Sequence, residues 1–334
     1  MVDISHLNTL RIPTNAENVL EINSAEDIKK VDFSKSYLIL GSGANVLFTK
    51  DFPGNILLIK ILGRKIISET SDDITIEFGA GENWHEAVTW AVENTYSGME
   101  NMALIPGTVG AAAVGNIAAY GQNQEDIFVS LKPHNSKIFD KNNMQFAYRE
   151  SILKNNSNYI VTSVTYKLSK KTHLELSYHA THHASLLPTL QSIAKEPFTV
   201  KNVYDAVIKI RQEKLPDPKN IGTAGSFFKN PVVSAKISSE IKSKFPDLQT
   251  YPVAKLQYID SKENMVKLPA GFLLDKLGWR GKRIGNVGTY PSHALTIVTY
   301  PGVTGQEVYN FAELMRADVK KNFNIDLEYE VIIV

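Results

Sequence analysis

The 334-residue chain contains no cysteine. Disulfides, thiolate nucleophiles and cysteine-ligated zinc or iron–sulfur centres are therefore excluded. Charge of either sign is not in excess: 36 Lys and Arg face 35 Asp and Glu, a formal net charge of +1. No global field recruits nucleic acid or an anionic membrane surface, so neither partner is expected. The opening Met1-Val2-Asp3-Ile4-Ser5-His6 lacks the basic start and apolar core of a signal peptide. Long hydrophobic runs are also scarce. The least polar stretch, Met102 to Gly121, has membrane-span length but carries Pro106, Gly107, Gly110, Gly115 and Asn116, more breakers than a spanning helix tolerates. It reads as a buried, loop-rich segment of a soluble, cytoplasmic protein. No internal repeat or low-complexity tract is present.

The apolar 43% and charged 21% are ordinary for a globular protein, and the length suggests two or three domains. Three zones differ in texture. In the first, residues 1–62, Ser24 to Val31 reads as a short capped helix, and Tyr37 to Leu40 and Asn55 to Ile59 as buried strands. In the second, 63–200, Ile74 to Phe78 alternates like a strand. Trp84, Val88, Ala91 and Val92 then share one helix face. Ile127 to Leu131 and Tyr159 to Tyr166 read as further strands. In the third, 201–319, Val203, Tyr204, Val207 and Ile208 continue a helical face begun at Val200, and Pro216 and Pro218 follow its end. Thr304-Gly305-Gln306-Glu307 is a capping box opening a helix with Val308, Phe311, Ala312, Met315 and Val319 on one side. Leu327 to Val334 reads as a final strand, and the segment 320–334 is expected to return to the second zone.

Gly41-Ser42-Gly43-Ala44-Asn45 follows directly on a buried strand, where small residues let backbone N–H groups approach an anion. No third glycine opens a helix, and Val46-Leu47-Phe48 reads as extended chain, so this is not the dinucleotide fingerprint. On these residues alone a tight strand–turn–strand is the plainer reading. The run from Ile105 to Gly121 holds too much glycine for a core helix and is too apolar for a surface loop. Its backbone is expected to pack against something large and flat. A flavin or nucleotide fits, and so does close packing between domains.

Taken in order, these segments resemble the UDP-N-acetylenolpyruvoylglucosamine reductases, in the longer subtype with a tyrosine-bearing substrate loop. The resemblance rests on Asn8-Thr9-Leu10, the turn at 41–45, Gly79-Ala80-Gly81-Glu82-Asn83-Trp84, and Ile105-Pro106-Gly107 through Ala119-Tyr120-Gly121. It continues with Tyr148-Arg149-Glu150-Ser151, Gly225-Ser226-Phe227-Phe228-Lys229-Asn230-Pro231, Ala270-Gly271-Phe272 and Leu327-Glu328-Tyr329-Glu330-Val331. It implies an α+β architecture: an FAD-binding fold of the vanillyl-alcohol-oxidase type, built from two α/β subdomains, with a separate α/β domain for the UDP-sugar. It also implies FAD as cofactor, NADPH as co-substrate and UDP-N-acetylglucosamine enolpyruvate as substrate. NADPH reduces the flavin, which passes hydride to the enolpyruvyl group. A monomer is expected.

By the same resemblance Arg149, Ser226 and Glu330 are the catalytic residues. A serine is a poor acid in water but can protonate a strongly basic carbanion in a dry, aligned site. An arginine fork holds a carboxylate bidentately, and a carboxyl near the C-terminus can assist through hydrogen bonds. Without the family, Ser226 would read as a turn serine, Arg149 as a surface ion pair and Glu330 as a strand-edge charge. The cofactor segments are Gly41, Ser42, Gly43, Ala44 and Asn45, together with Ile105, Pro106, Gly107, Gly110, Gly115, Asn116 and Ala119. The substrate-side candidates are Tyr178, Lys214, Asn230, Tyr251, Lys267 and His293. His179, His182 and His183 could in principle ligate zinc, but no carboxylate stands at suitable spacing. A polar helix start is preferred and no metal is expected.

The chain departs from the pattern at Ala44, Ala113, Gly115, Ala118, Glu150, His293 and Ile332, where Ser, Pro, Gln, Gly, Asp, Gln and Arg are expected in turn. The catalytic trio is intact and the cofactor cradle altered, which fits a drifted but working enzyme. A non-catalytic relative that binds a UDP-sugar without flavin is the alternative. A covalent flavoenzyme of the same fold ranks last, because no His lies in either cradle segment.

Overall fold

Ile74, Ile76 and Phe78 alternate with polar residues and are fully buried, so the strand Asp73–Gly79 turns one face to a core. In this computed structural model, which describes residues 1–154, 156, 158–177, 186–253 and 264–334, that strand belongs to a five-stranded antiparallel sheet. Its order is Phe139–Asp140, Phe128–Pro133, Val161–Ser169, Asp73–Gly79, Arg64–Glu69. The helix Trp84–Glu93 starts at Asn83, whose side chain accepts from the Glu86 N–H, as an N-cap should. Its apolar stripe of Trp84, Val88, Ala91 and Val92 is buried against the sheet's core. The helix Val200–Lys214 adds Val200, Val203, Ala206, Val207 and Ile210 to the same core. A second sheet pairs Tyr37–Leu40 in parallel with Phe52–Ile59, with Asn15–Ile22 on the other side of the latter.

The other core is built around Phe227, Phe228, Leu273, Leu274, Ile297, Val308 and Met315. An antiparallel sheet runs Gly222–Ser226, His293–Thr299, Val287–Tyr290, Arg283–Ile284. A three-stranded sheet runs Val232–Ser234, Met265–Lys267, Tyr251–Pro252. The capping box at Thr304 forms as expected, with Glu307 reaching back to the Thr304 N–H, and the helix Gly305–Phe323 buries Val308, Phe311, Ala312, Met315 and Val319.

The chain divides into two compact units, not at residues 62 and 200. One comprises 1–2, 16–42 and 53–213; the other comprises 3–15, 43–52 and 214–334. The two early segments join the C-terminal unit because Leu10, Ile12 and Leu47 pack in its core. Four local expectations need correction. Within the glycine-rich stretch, Val109–Val114 is a helix, N-capped by Thr108. Ile127 ends a short helix, Gln124–Ile127, because Asn123 and Asp126 make a capping box, and the strand begins at Phe128. The strand expected from Tyr159 begins at Val161. The tail is not one strand: only Ile332–Ile333 is paired, in parallel with Val46–Leu47, after a single bridge between Tyr329 and Phe228. The tail changes partner at Val331, so no continuous ladder forms.

Glycine is required where the chain closes on itself. At Gly43 (φ +64°) a Cβ would lie 1.8 Å from the Leu7 carbonyl oxygen. At Gly285 (φ +58°) nothing lies within 4 Å of that position. Gly43→Ala should therefore lose about 1–3 kcal/mol more stability in urea unfolding than Gly285→Ala, since both share the left-handed strain and only the former overpacks. Equal losses would mean that the Leu7 contact does not govern the turn.

His85 stacks on Tyr204 with ring centroids 5.9 Å apart, and its Nδ1 accepts the Leu104 N–H at 3.2 Å. Burial, aided by the charge of Arg211, holds its pKa below the ordinary histidine value. Below about pH 6.5 the unfolded chain therefore binds a proton that the folded chain resists, and stability falls as pH drops through that value. His85→Asn, which keeps an acceptor but does not titrate, should flatten the decline in thermal midpoint between about pH 7 and 5. Superimposable profiles would remove His85 from that decline.

Candidate active site

Ser226 ends the strand Gly222–Ser226, and Glu330 lies in the adjoining C-terminal segment of the same unit. The Glu330 N–H donates to the Phe227 carbonyl at 3.0 Å, and the Lys229 N–H to the Glu328 carbonyl at 2.8 Å. The proposed donor hydroxyl and the carboxylate therefore sit on two hydrogen-bonded stretches of backbone. A register shift between Thr223 and Ser226 precedes the serine, with Gly225 at φ +72° and open space where its Cβ would be. A bulge of this kind re-aims the following side chain. Asn45 holds Glu330 from the other side: its Nδ2 donates to the Glu330 carbonyl at 3.0 Å, and its own carbonyl accepts the Ile332 N–H at 3.1 Å. The amide of Asn45, expected at the cofactor, is thus engaged with the backbone of Glu330.

Arg149 belongs to the other unit. It stands at φ +58° in a turn closed by reciprocal Ala147–Glu150 backbone bonds of 3.1 Å. Ser151 pins the turn, its hydroxyl donating to the Val114 carbonyl at 2.7 Å. The guanidinium donates to the Ala118 carbonyl at 3.2 Å and, more weakly, to the Asn116 carbonyl at 3.5 Å. Asn116 is itself committed: its Nδ2 donates to Glu125 and to the Ala147 carbonyl, both at 2.8 Å, and its Oδ1 accepts from Gln124 at 3.2 Å. Its own N–H donates to the Ala113 carbonyl at 3.3 Å.

The glycines of the cradle differ in purpose. Gly41 backs onto Thr108, whose Oγ1 would lie 2.7 Å from a Cβ, and Gly110 backs onto Ala80, whose Cβ would lie at 2.9 Å. Both are internal packing requirements, as at Gly43. Gly107 is different: φ is +136° and nothing lies within 4 Å. Gly115 ends the helix Val109–Val114 with an ordinary φ of −84°. Ser42 and Pro106 are exposed, Ala44 and Ile105 half-buried. Ala119 lies in the two-residue strand Ala118–Ala119.

Of the substrate-side candidates, Lys267 and Tyr251 are directly opposite across an antiparallel pair, which puts both side chains on one face. Asn230 caps the helix Ala270–Lys276, its Oδ1 accepting the Ala270 N–H at 2.9 Å. His293 starts the strand His293–Thr299, 3.7 Å from where a Cβ of Gly271 would be. Lys214 is the last residue of its helix. Tyr178, His179, His182 and His183 lie outside the described residues.

One residue was missed. Arg211 falls four residues after Val207 and seven after Tyr204, in register with the apolar stripe, which is the one signal that it turns inward. Its side chain hydrogen-bonds the Tyr120 hydroxyl and donates to the Leu104 carbonyl at 3.2 Å. Its Nε is shut off from solvent and, with Asn101 Oδ1, is one of two buried side-chain polar atoms without a partner among the described residues. Burial and the nearby Arg149 both push its pKa down. An orphaned donor beside the cradle segment is what a bound group bringing an acceptor would leave, so the residues present fit a flavin. Among the described residues no cluster of three His, Asp or Glu could hold a metal, and no helix is long and apolar enough to cross a membrane.

Residues 217–334 match the family model for the C-terminal domain of UDP-N-acetylenolpyruvoylglucosamine reductase, and residues 12–133 that of an FAD binding domain. The UDP-N-acetylenolpyruvoylglucosamine reductase of Flavobacterium johnsoniae is 39% identical, over 98% of this chain and 97% of its own. That of Bdellovibrio bacteriovorus is 37% identical, over 99% and 97%. Among solved structures, UDP-N-acetylenolpyruvylglucosamine reductase from Thermus caldophilus superposes with a TM-score of 0.69 at 20% identity, covering 99% of this chain and 97% of that one. A solvent-stable cholesterol oxidase reaches 0.50 at 10% identity, over 97% and 85%. The fold is thus α+β, a flavin-binding fold of the vanillyl-alcohol-oxidase type joined to the reductase C-terminal domain. With such identity over almost its whole length, the chain belongs to the UDP-N-acetylenolpyruvoylglucosamine reductase family.

Proposed function

We propose that the protein reduces UDP-N-acetylglucosamine enolpyruvate to UDP-N-acetylmuramate with FAD and NADPH, a step of peptidoglycan precursor synthesis. The observation that carries the reading is the bond between the Glu330 N–H and the Phe227 carbonyl, which couples the segments of Ser226 and Glu330. Flavin is assigned to residues 41–45 and to the backbone of Ile105, Pro106, Gly107, Gly110, Gly115, Asn116 and Ala119. FAD, when bound, supplies the two-electron transfer between nicotinamide and the enolpyruvyl double bond.

The chain's own residues do the rest. Arg149, oriented by the carbonyls of Asn116 and Ala118, holds the enolpyruvyl carboxylate as a charged fork. Ser226 delivers a proton to C2, where negative charge develops once C3 has taken hydride. Glu330 hydrogen-bonds at the same end. Lys214, Asn230, Tyr251, Lys267, His293 and Tyr178 hold the UDP-sugar; lysine contributes charge and tyrosine a hydroxyl on an apolar ring. The protein acts as a cytoplasmic monomer.

Ser226→Ala should retain its flavin and still be bleached by NADPH under anaerobic conditions. Recovery of the colour on adding the enolpyruvyl UDP-sugar should slow by about 10²–10⁴-fold, the usual contribution of a positioned acid. Recovery at the wild-type rate would remove Ser226 as the donor. A wild-type protein that takes up no FAD would overturn the reading as a whole.

A further inference from the structure

Glu330 lies where the tail changes partner. Its N–H bonds the Phe227 carbonyl at 3.0 Å, and two residues later the Ile332 N–H bonds the Asn45 carbonyl at 3.1 Å. Between the single Phe228–Tyr329 bridge and the paired Ile332–Ile333 no ladder runs through Glu330. A stretch without a continuous ladder is held only as well as its neighbours' side chains hold it. Those side chains stand on both sides. Val331 is buried in the core of the unit. Tyr329 stacks on Phe228, with ring centroids 5.4 Å apart, and meets Phe227 edge-to-face at 5.9 Å.

Tyr329 is also tied to the helix Gly305–Phe323. Glu313 and Arg316 are three residues apart and share a face of it. The Tyr329 hydroxyl donates to Glu313 Oε1, the same oxygen that accepts from Arg316 at 2.6 Å. Arg316 then returns to the tail. Its Nε donates to the Leu327 carbonyl at 2.9 Å, and its guanidinium lies 4.9 Å from the centre of the Tyr329 ring. A closed circuit of hydrogen bonds thus runs from Leu327 through Arg316 and Glu313 to Tyr329. The charge states suit it. The Tyr329 hydroxyl holds the Glu313 carboxyl below its ordinary pKa, and burial holds the phenol above its own. A neutral donor therefore faces a charged acceptor. A ring that only filled space would need no hydroxyl, since phenylalanine makes the same stack.

We infer that Tyr329, fixed by Glu313 and Arg316, is a positioning residue that sets where Glu330 stands relative to the segment of Ser226. The inference rests on the reductase reading, which gives Glu330 its role at the enolpyruvyl group. All of these residues belong to one unit. The Tyr329 hydroxyl acts through Glu330 and touches no reacting atom. Its removal leaves the aromatic stack and the Glu313–Arg316 pair, but lets the ring slide on Phe228 and carries the next residue with it. A misplacement of about 1 Å at a reacting site costs about 10²-fold in rate, so a smaller slip costs about tenfold. Reduction of the flavin by NADPH asks nothing of Glu330 and is left as it was.

The test uses the FAD-loaded protein and its variants Tyr329→Phe, Glu330→Gln and the two combined. Bleaching by NADPH is timed under anaerobic conditions, then recovery of colour across a range of enolpyruvyl UDP-sugar concentrations. Tyr329→Phe should bleach and half-saturate within about twofold of wild type, yet recover about tenfold more slowly at saturating sugar. In the Glu330→Gln background the same substitution should add less than about twofold, because the residue it positions is already disabled. Glu313→Ala breaks the same bond from the helix side and should reproduce the split. Glu313→Gln keeps the acceptor oxygen and should restore most of the rate. That pair decides if Tyr329→Phe does not fold. Wild-type recovery in Tyr329→Phe, equal slowing of both half-reactions, or a full tenfold loss added to Glu330→Gln overturns the inference. Recovery at the wild-type rate in Glu330→Gln removes the role of Glu330 and the inference with it. A wild-type protein that NADPH cannot bleach would instead sink the reductase reading, an outcome distinct from all of these.

Discussion

Three hydrogen bonds at Thr9 hold together the unit that carries Ser226 and Glu330. Its N–H donates to the Gly43 carbonyl at 3.1 Å, its carbonyl accepts the Thr223 N–H at 2.9 Å, and its hydroxyl donates to the Thr223 carbonyl at 2.6 Å. The loop is self-supporting, because the Asn8 amide bridges both the N–H and the carbonyl of Ile12. Such approach requires glycine at positions 43 and 222. A Cβ at Gly43 would strike Leu7, and one at Gly222 would come within 2.6 Å of the Leu10 carbonyl oxygen. Thr299 closes the other side, its hydroxyl donating to that same carbonyl. Ser226 follows three residues after Thr223, and Asn45 two after Gly43. The stitch thus sets the starting point for both the serine and the side chain that holds Glu330. Buried backbone left unpaired here would cost about 1–3 kcal/mol per group.

The other unit solves a different problem, holding strained backbone in place. Four of its left-handed residues, Leu104, Asn116, Tyr120 and Arg149, cost on the order of 1–3 kcal/mol each, a sum comparable to the net stability of a domain, about 5–15 kcal/mol. Each is restrained by specific hydrogen bonds. The Leu104 N–H meets His85, the Tyr120 carbonyl accepts from Asn101 at 2.7 Å, and Asn116 spends its amide on its neighbours. The turn of Arg149 is pinned by Ser151.

These differences track what was legible in the sequence. Elements with a single partner face were readable: the stripe of Trp84, Val88, Ala91 and Val92 and the capping box at Thr304 both form as their spacing predicts. The tail was not, because Glu330 bonds to Phe227 and Ile332 to Asn45, and a change of partner leaves no trace in periodicity. The local packing around the expected site segments was not readable. Gly41 and Gly110, expected to bare the backbone for a ligand, are glycine because Thr108 and Ala80 occupy the space. Arg211 was passed over because a charged residue at the border of an apolar stripe usually reaches for solvent. Only tertiary structure shows its Nε enclosed.

The departures from the family pattern then take on an ordered meaning. At Ala118 the group in use is the carbonyl, which receives Arg149, so a methyl in place of hydrogen leaves that function intact. Gly115 adopts a φ open to any residue, and Ala113 is buried in the core of its unit, where a small apolar side chain satisfies the packing. Ile332 places its N–H on the Asn45 carbonyl, while its side chain remains 47% exposed. At these positions the backbone carries the contacts that the structure shows.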